Sequence, residues 1–180
     1  DAALKDNLRW EIRAALKTAG IPAIWVTHDQ EEALSVGDRI GVLRAGKLEQ
    51  IDKPEFCYNH PTNRFVARFL GEVNFISTQV ILGKNLVVPE LGFEQAMDKN
   101  ILNKSVDLLL RPEDLTIHGD INGKGKILAK RYEGSSRLYH VKINNNVVKV
   151  RTRHEVNLKE GQSVSLTVTS TKPITVFEQA

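Results

Sequence analysis

The sequence is short of the groups that build redox and metal centres. Its 180 residues hold one cysteine, Cys57, which excludes an internal disulfide and a cysteine-built zinc site and fits a reducing compartment. Cys57 stands in a Phe-Cys-Tyr run beside a predicted helix and reads as packing rather than as a nucleophile. Long apolar runs are also missing. None approaches the roughly 18 to 20 residues that cross a bilayer, and no charged start leads into an apolar signal core. Aromatic residues make up only 6% of the chain, so no base-stacking platform is evident. No G-x-x-x-x-G-K-[ST] word occurs. The pairs Gly46-Lys47, Gly83-Lys84 and Gly123-Lys124 lack its spacing and do not lead from a buried strand into a helix.

What is present reads as two textures. Over the first seventy residues, apolar positions at Leu4, Leu8, Ile12, Ala15, Leu16 and Ala19 predict a one-faced helix that Gly20 and Pro22 stop, with Lys5, Arg9, Arg13 and Lys17 on its outer face. Asp1 is a favoured N-cap for it. Residues 23–27 are apolar without alternation and predict a strand buried on both faces of a parallel sheet. That strand ends at His28. Open α/β sheets place ligands where a strand tip feeds a helix start, so His28 is the first candidate for chemistry, against a plain solvated loop histidine. Asp29 with Glu32 three residues on predicts a capped helix over residues 30–36, with Asp29, Glu31 and Glu32 favoured by its dipole rather than by a metal. Residues 39–44 and 47–51 predict a hairpin turned at Ala45-Gly46. Pro54 opens a short helix, and Thr62 is a candidate cap for the last one, which Gly71 ends.

From residue 72 on, short strands follow one another, at about 73–82, 85–88, 105–111, 124–132, 137–143, 147–153, 163–169 and 173–177, between polar turns. A weak helical stretch near residues 93–102 bridges two of them. This half is a small β-barrel or sandwich. It is also the basic half, with 15 Lys and Arg against 11 Asp and Glu, where residues 1–72 have 10 against 11. Residues 122–154 carry nine Lys and Arg against Glu133. Such a stretch fits nucleic acid, an oxyanion, an acidic partner or a solvated face. Arg111, in the word Leu-Arg-Pro-Glu-Asp-Leu, can tie loops through a carboxylate such as Glu113 or Asp114, or contact a ligand.

The run V-T-H-D-Q-E-E-A-L, continued by G-D-R-I-G-V-L-R-A-G-K-L-E-Q-I-D-K-P-E-F-C-Y-N-H-P-T-N-R-F-V-A-R-F-L-G, resembles the end of the nucleotide-binding subunit of bacterial ABC importers over about seventy residues in one register. The resemblance implies that His28 is the switch histidine, which contacts the γ-phosphate of ATP and the attacking water. Asp1-Ala2-Ala3-Leu4-Lys5 resembles the end of that family's D-loop word, which implies a place for Asp1 at the interface between two copies. Gly71-Glu72-Val73-Asn74-Phe75, Leu110 to Leu115, and the run from Arg131 to Phe177 resemble the OB-like transport-associated domain of such subunits. The family's L-S-G-G-Q loop and the strand ending in its Mg²⁺-binding acid are missing.

The expectation is therefore an α+β chain: residues 1–71 a C-terminal remnant of an ABC nucleotide-binding domain, and residues 72–180 an all-β OB-like regulatory domain. The parent protein is implied to be a transport ATPase using ATP and Mg²⁺. This chain alone is expected to be inert, with no cofactor or metal of its own. The implied partners are membrane permease subunits and a second copy of the ATPase subunit, with no nucleic acid, at the cytoplasmic face of the bacterial inner membrane. Tyr132 to Tyr139 looks like ferric-iron importers, whereas Gly-Glu-Val-Asn and Leu-Arg-Pro-Glu-Asp-Leu occur as readily in sulfate and polyamine types. An OB-like nucleic-acid module and an oxyanion-sensing domain are the alternatives. An α/β strand at 23–27 without its neighbours leaves an apolar face that residues 1–70 must repack or cover with another chain.

Overall fold

The computed structural model describes residues 2–79, 85–96 and 105–179. Asp1, with its cap and interface roles, lies outside the described residues. The chain divides into two compact units, residues 1–71 and 72–180.

In the first unit, helix α1 (Ala2–Ala19) ends where Gly20 takes a left-handed φ of 64°. Gly20 N–H donates to Lys17 O at 3.2 Å and Ile21 N–H to Leu16 O at 3.0 Å, a Schellman closure that a Cβ would strain. Helix α2 (Gln30–Val36) starts at Asp29, whose carboxylate accepts from Glu32 N–H at 3.1 Å. Strands β1 (Ile40–Arg44) and β2 (Lys47–Asp52) pair antiparallel. Ala45 and Gly46 both adopt positive φ at the turn between them, as a type I′ turn requires. Helix α3 (Pro54–Asn59) follows, then α4 (Arg64–Phe69). The cap of α4 is Asn63, not Thr62: its side chain accepts from Val66 N–H at 2.9 Å, while Thr62 N–H donates to Gln50 Oε1 at 2.8 Å. A small core of Ile40, Val42, Cys57, Val66 and Leu70 sits between the hairpin and these helices. Burial pushes the Cys57 thiol up, as suits packing.

Two expectations for this unit fail together. Residues 23–27 form no strand, and Ile24 and Val26 are 95% and 91% exposed. No described strand lies beside them, and a strand is stable only as a member of a ladder. Helix α1 is also not held by its apolar stripe alone. Leu4 and Leu8 are exposed and only Ile12 and Leu16 of the stripe are half-buried, while Arg9 and Arg13 on the other face are half-buried too. Arg9 meets Glu32, Arg13 donates to Val36 O at 2.8 Å and Asp38 at 2.9 Å, and Lys17 reaches Asp38 at 2.5 Å. With no apolar sheet face to cover, charge pairing shares in holding α1.

The second unit is antiparallel β throughout. Strands β3 (Asn74–Gln79), β6 (Ser105–Leu110) and β12 (Val176–Glu178) form one sheet in the order β12-β6-β3. Strands β7 (Leu115–Gly119), β8 (Gly125–Tyr132), β9 (Ser136–Ile143), β10 (Asn146–Arg153) and β11 (Ser163–Val168) form another in the order β10-β9-β8-β11-β7. A hairpin of β4 (Asn85–Val88) and β5 (Phe93–Ala96) is turned by a 3-10 helix, Pro89–Leu91. Of the expected helical stretch at 93–102, Phe93–Ala96 is thus a strand and the rest lies outside the described residues. Strand β7, which the sequence reading passed over, pairs in full with β11.

Both sheets contribute to one core, with Ile76, Leu108 and Leu110 from the first and Ile127, Tyr139, Val141, Val148, Val164 and Leu166 from the second. Glycine is required in the turn that leads into β8 alongside β11: a Cβ on Gly123 would lie 2.2 Å from the backbone of Val164. The sheets are joined at one edge by Asn74. Its side-chain amide donates to Lys149 O at 2.8 Å and its side-chain oxygen accepts from Lys149 N–H at 2.7 Å, which satisfies both backbone groups of an edge residue of β10. Tyr139 performs a similar task inside: its hydroxyl donates to Val156 O at 2.7 Å and accepts from Leu158 N–H at 3.1 Å. We predict that Asn74→Ala, which orphans two buried backbone groups, lowers unfolding stability by about 2–4 kcal/mol. Urea unfolding of the β unit measures this, and an unchanged midpoint would show that water replaces the amide without loss.

Candidate functional site

His28 lies on the exposed turn between the extended residues 21–27 and α2. Its side chain is open to solvent, whereas the loop around it is fixed from behind. Glu32, on the first turn of α2, is 6% exposed. Its carboxylate accepts from Trp25 Nε1–H at 3.0 Å and from the Thr27 hydroxyl, and pairs with Arg9 Nε of α1 at 2.8 Å. The Thr27 hydroxyl in turn accepts from Asp29 N–H at 3.0 Å. Arg9 also lies 3.8 Å from Asp29. The spacing from Asp29 explains Glu32 as a capping-box acid favoured by the helix dipole. Glu32 is also a buried anchor, and the signal for this was Arg9, which the helical pattern places on the outer face.

Arg111 is 3% exposed and sits at the end of β6. Its guanidinium donates to Glu72 O at 3.1 Å. Its backbone N–H donates to Asp114 Oδ2 at 2.7 Å, and Asp114 N–H returns a bond to Arg111 O at 3.0 Å across the 3-10 turn Pro112–Asp114. Burial pushes the Asp114 carboxyl above its usual range, against the bond from Arg111 N–H.

Arg131, Lys149 and Arg151 of the basic stretch hold carboxylates, while Lys124, Lys126, Lys142 and Arg153 are exposed. Glu133 pairs with Arg131 at 2.5 Å and Arg151 at 3.1 Å and accepts from the Ser136 hydroxyl at 3.1 Å. Lys149 pairs with Glu72, Arg151 also approaches Glu113 at 3.6 Å, and Lys130 is bonded to Asn157 Oδ1 and Leu158 O, both at 3.1 Å. The Arg137 guanidinium lies 5.6 Å from the ring of Tyr132, which is itself exposed, and Tyr139 is in the core, which leaves Tyr132 without Tyr139 as a stacking partner. A cleft of about 400 Å³ opens beside β3, β4 and the β9–β10 turn, lined in part by Ser77, Thr78, Glu90, Asn144 and Asn146. Among the described residues no Lys or Arg lines it. Among the described residues, no group of three His, Cys, Asp or Glu is placed to hold a metal, and no helix is long and apolar enough to cross a membrane.

The antiparallel unit and its Arg111 turn define a known class of domain. Residues 108–174 match the TOBE domain. The chain as a whole is similar to import ATP-binding proteins. It is 34% identical over 165 residues to the spermidine/putrescine import ATP-binding protein PotA of Mesomycoplasma hyopneumoniae strain J, covering 88% of this chain and 37% of that relative. It is 35% identical over 173 residues to the PotA of Pseudomonas fluorescens, covering 91% and 48%, and 36% identical over 138 residues to that of Mycoplasma capricolum, covering 74% and 39%. The chain belongs with the ATP-binding subunits of ABC importers and corresponds to their C-terminal part. It spans less than half the length of these relatives. Their names point to polyamines and give the ferric-iron expectation no support.

Glu133 sets a pH dependence of the β unit. Burial works against its charge, but donation from Arg131 and Arg151 outweighs this and holds its carboxyl below the usual range. A depressed carboxyl contributes stability above the unfolded-state value, about 4.3 for Glu, and loses it as pH falls through the folded value. Glu133→Gln is therefore expected to unfold at lower urea than the parent at pH 7, with the difference shrinking below about pH 4. A constant difference across that range in urea titrations would assign the effect to packing.

Proposed function

We propose that this chain is the C-terminal part of the ATP-hydrolysing subunit of a polyamine importer. In this reading residues 1–71 are the closing segment of the nucleotide-binding domain, and the TOBE unit is regulatory. The observation that carries it is the combination, in one chain, of an exposed His28 on a hydrogen-bonded turn before α2 and a TOBE match later in the sequence, with polyamine-named relatives across most of this chain. His28 would face the γ-phosphate and the attacking water, where an imidazole can accept or orient a proton. ATP and Mg²⁺ would be held by a phosphate cradle and an acid that this stretch of sequence does not contain. Asp1 would belong to the loop that links the two nucleotide sites of a homodimer. Membrane permease subunits would be the partners, and the subunit would sit at the cytoplasmic face of the membrane. Arg111, bonded to a backbone carbonyl and enclosed, would serve as a tie between the start of the TOBE unit and β6 rather than as a ligand contact.

Polyamine is preferred over ferric iron and sulfate because the relatives' names support it. The test is reconstitution of the complete gene product with its permease in vesicles. ATP turnover is expected to fall by about 100-fold or more on His28→Ala, in the range of other lost catalytic groups. Labelled spermidine or putrescine, and not ferric iron or sulfate, is expected to accumulate with turnover. Full ATPase activity in the His28 variant would remove the histidine from the reaction, and iron uptake would reverse the cargo.

A further inference from the structure

We infer that Glu32 is the positioning residue for His28, acting through a closed polar ring that fixes the peptide carrying the histidine. This rests on the reading of His28 given above. The ring has a definite order. The Glu32 carboxylate takes the Thr27 hydroxyl on one oxygen, and Trp25 Nε1–H at 3.0 Å with Arg9 Nε at 2.8 Å on the other. The Thr27 oxygen takes Asp29 N–H at 3.0 Å, and the Asp29 carboxylate takes Glu32 N–H at 3.1 Å. Residues 27, 29 and 32 are thereby joined to one another around His28, and Arg9 anchors the ring to α1. His28 itself makes no part of it. Its backbone is held on both sides while its imidazole stays exposed.

The chemistry of the ring explains why a carboxylate stands at position 32. Two hydrogen-bond donors converge there, from Trp25 and Thr27, with the Arg9 guanidinium at ion-pair distance, and a carboxylate supplies both the two oxygens and the charge that these partners need. Glutamine offers one oxygen and turns an amide N–H₂ toward groups that are themselves donors. It also removes the negative partner of Arg9, whose side chain is 11% exposed. The loop then loses its fixed backing while the imidazole remains chemically intact. A catalytic group displaced by about 1 Å can cost on the order of 100-fold in rate. A residue that acts only on His28 should therefore act on kcat far more than on KM for ATP, because the phosphate cradle is not built from this stretch and His28 would supply only one contact to the γ-phosphate.

The experiment uses the complete gene product and compares His28→Ala, Glu32→Gln, Glu32→Asp and Thr27→Val. Glu32→Gln is expected to lower kcat by about 10- to 100-fold with KM for ATP within about twofold of the parent. Glu32→Asp, which keeps the charge, is expected to recover part of the loss. Thr27→Val opens the ring without touching the buried charge pair, so it reads the same effect where Glu32→Gln fails to fold. A second readout needs no activity. The indole N–H resonance of Trp25 in this chain, one of two tryptophans, is expected to move in Glu32→Gln while that of Trp10 does not. Parental kcat in both Glu32→Gln and Thr27→Val, with His28→Ala inactive, overturns the inference and leaves the reading of His28 standing. A rise in KM at unchanged kcat overturns it as well. Full turnover in His28→Ala removes the reading and the inference together.

Discussion

The second unit depends on how two antiparallel sheets with open edges are kept on one core. Asn74 supplies the answer at the seam, where a single side-chain amide takes the place of a missing strand and pairs with both backbone groups of Lys149. An edge strand otherwise presents unpaired N–H and C=O groups to any chain that passes. Neighbouring contacts converge on the same seam. Lys149 pairs with Glu72, Arg111 donates to Glu72 O, and Asn74 stands opposite Leu110 in the β3–β6 ladder. The first residues of the unit are thus tied to β10 by side chains and to β6 by backbone. Apolar burial supplies most of the driving force, but it is non-directional, and the polar seam is what fixes how the sheets meet.

The first unit solves the same problem with less apolar material. Among the described residues five buried side chains make its core, and none of these five is from α1. That helix is held by Arg9, Arg13 and Lys17 against Glu32, Val36 O and Asp38. Exposed ion pairs contribute little, about 0–1 kcal/mol each, so the Lys17–Asp38 contact at the rim is a weak hold. Arg9 with Glu32 is different in kind, because both side chains are nearly enclosed and breaking such a pair leaves a buried charge. The strongest polar contact of the unit and the candidate catalytic turn are therefore the same place.

Where the sequence could be read and where it could not follows from what each signal needs. Local chemistry was sufficient for the Asp29 cap, the Ala45-Gly46 turn, the Pro54 helix start and the alternating strand Ser163–Val168, since each depends on a few adjacent residues. The strands of the β unit were legible for the same reason, apart from β5 (Phe93–Ala96), which reads as the start of a weak helix, and β7, whose Leu115–Gly119 run is short and carries only two strong apolar positions, Leu115 and Ile117. Signals that depend on distant partners misled. Residues 23–27 have the composition of a buried strand, but a strand exists only when another supplies hydrogen bonds. The stripe of α1 has helical spacing on both its faces, and how far each is buried depends on the neighbour. His28 was visible as a residue at a strand tip. Glu32 was not visible as its support, because the spacing from Asp29 explained it already as a cap-box acid.

The basic stretch shows the same limit in charge. Nine cations between residues 122 and 154 against one acid suggest a polyanion surface when counted along the chain. Folding brings Glu72 and Glu113 from outside the stretch and places Glu133 between Arg131 and Arg151. A cation that already holds a carboxylate at hydrogen-bond distance must give up that partner to bind a phosphate, so its contribution to an external anion is the difference between two similar contacts. Net charge still sets solubility and long-range attraction, which depend only on the sum. Site-level recognition depends on which cations remain without an internal acid, and that is a property of the β8–β9–β10 register and of the seam at Asn74, not of composition.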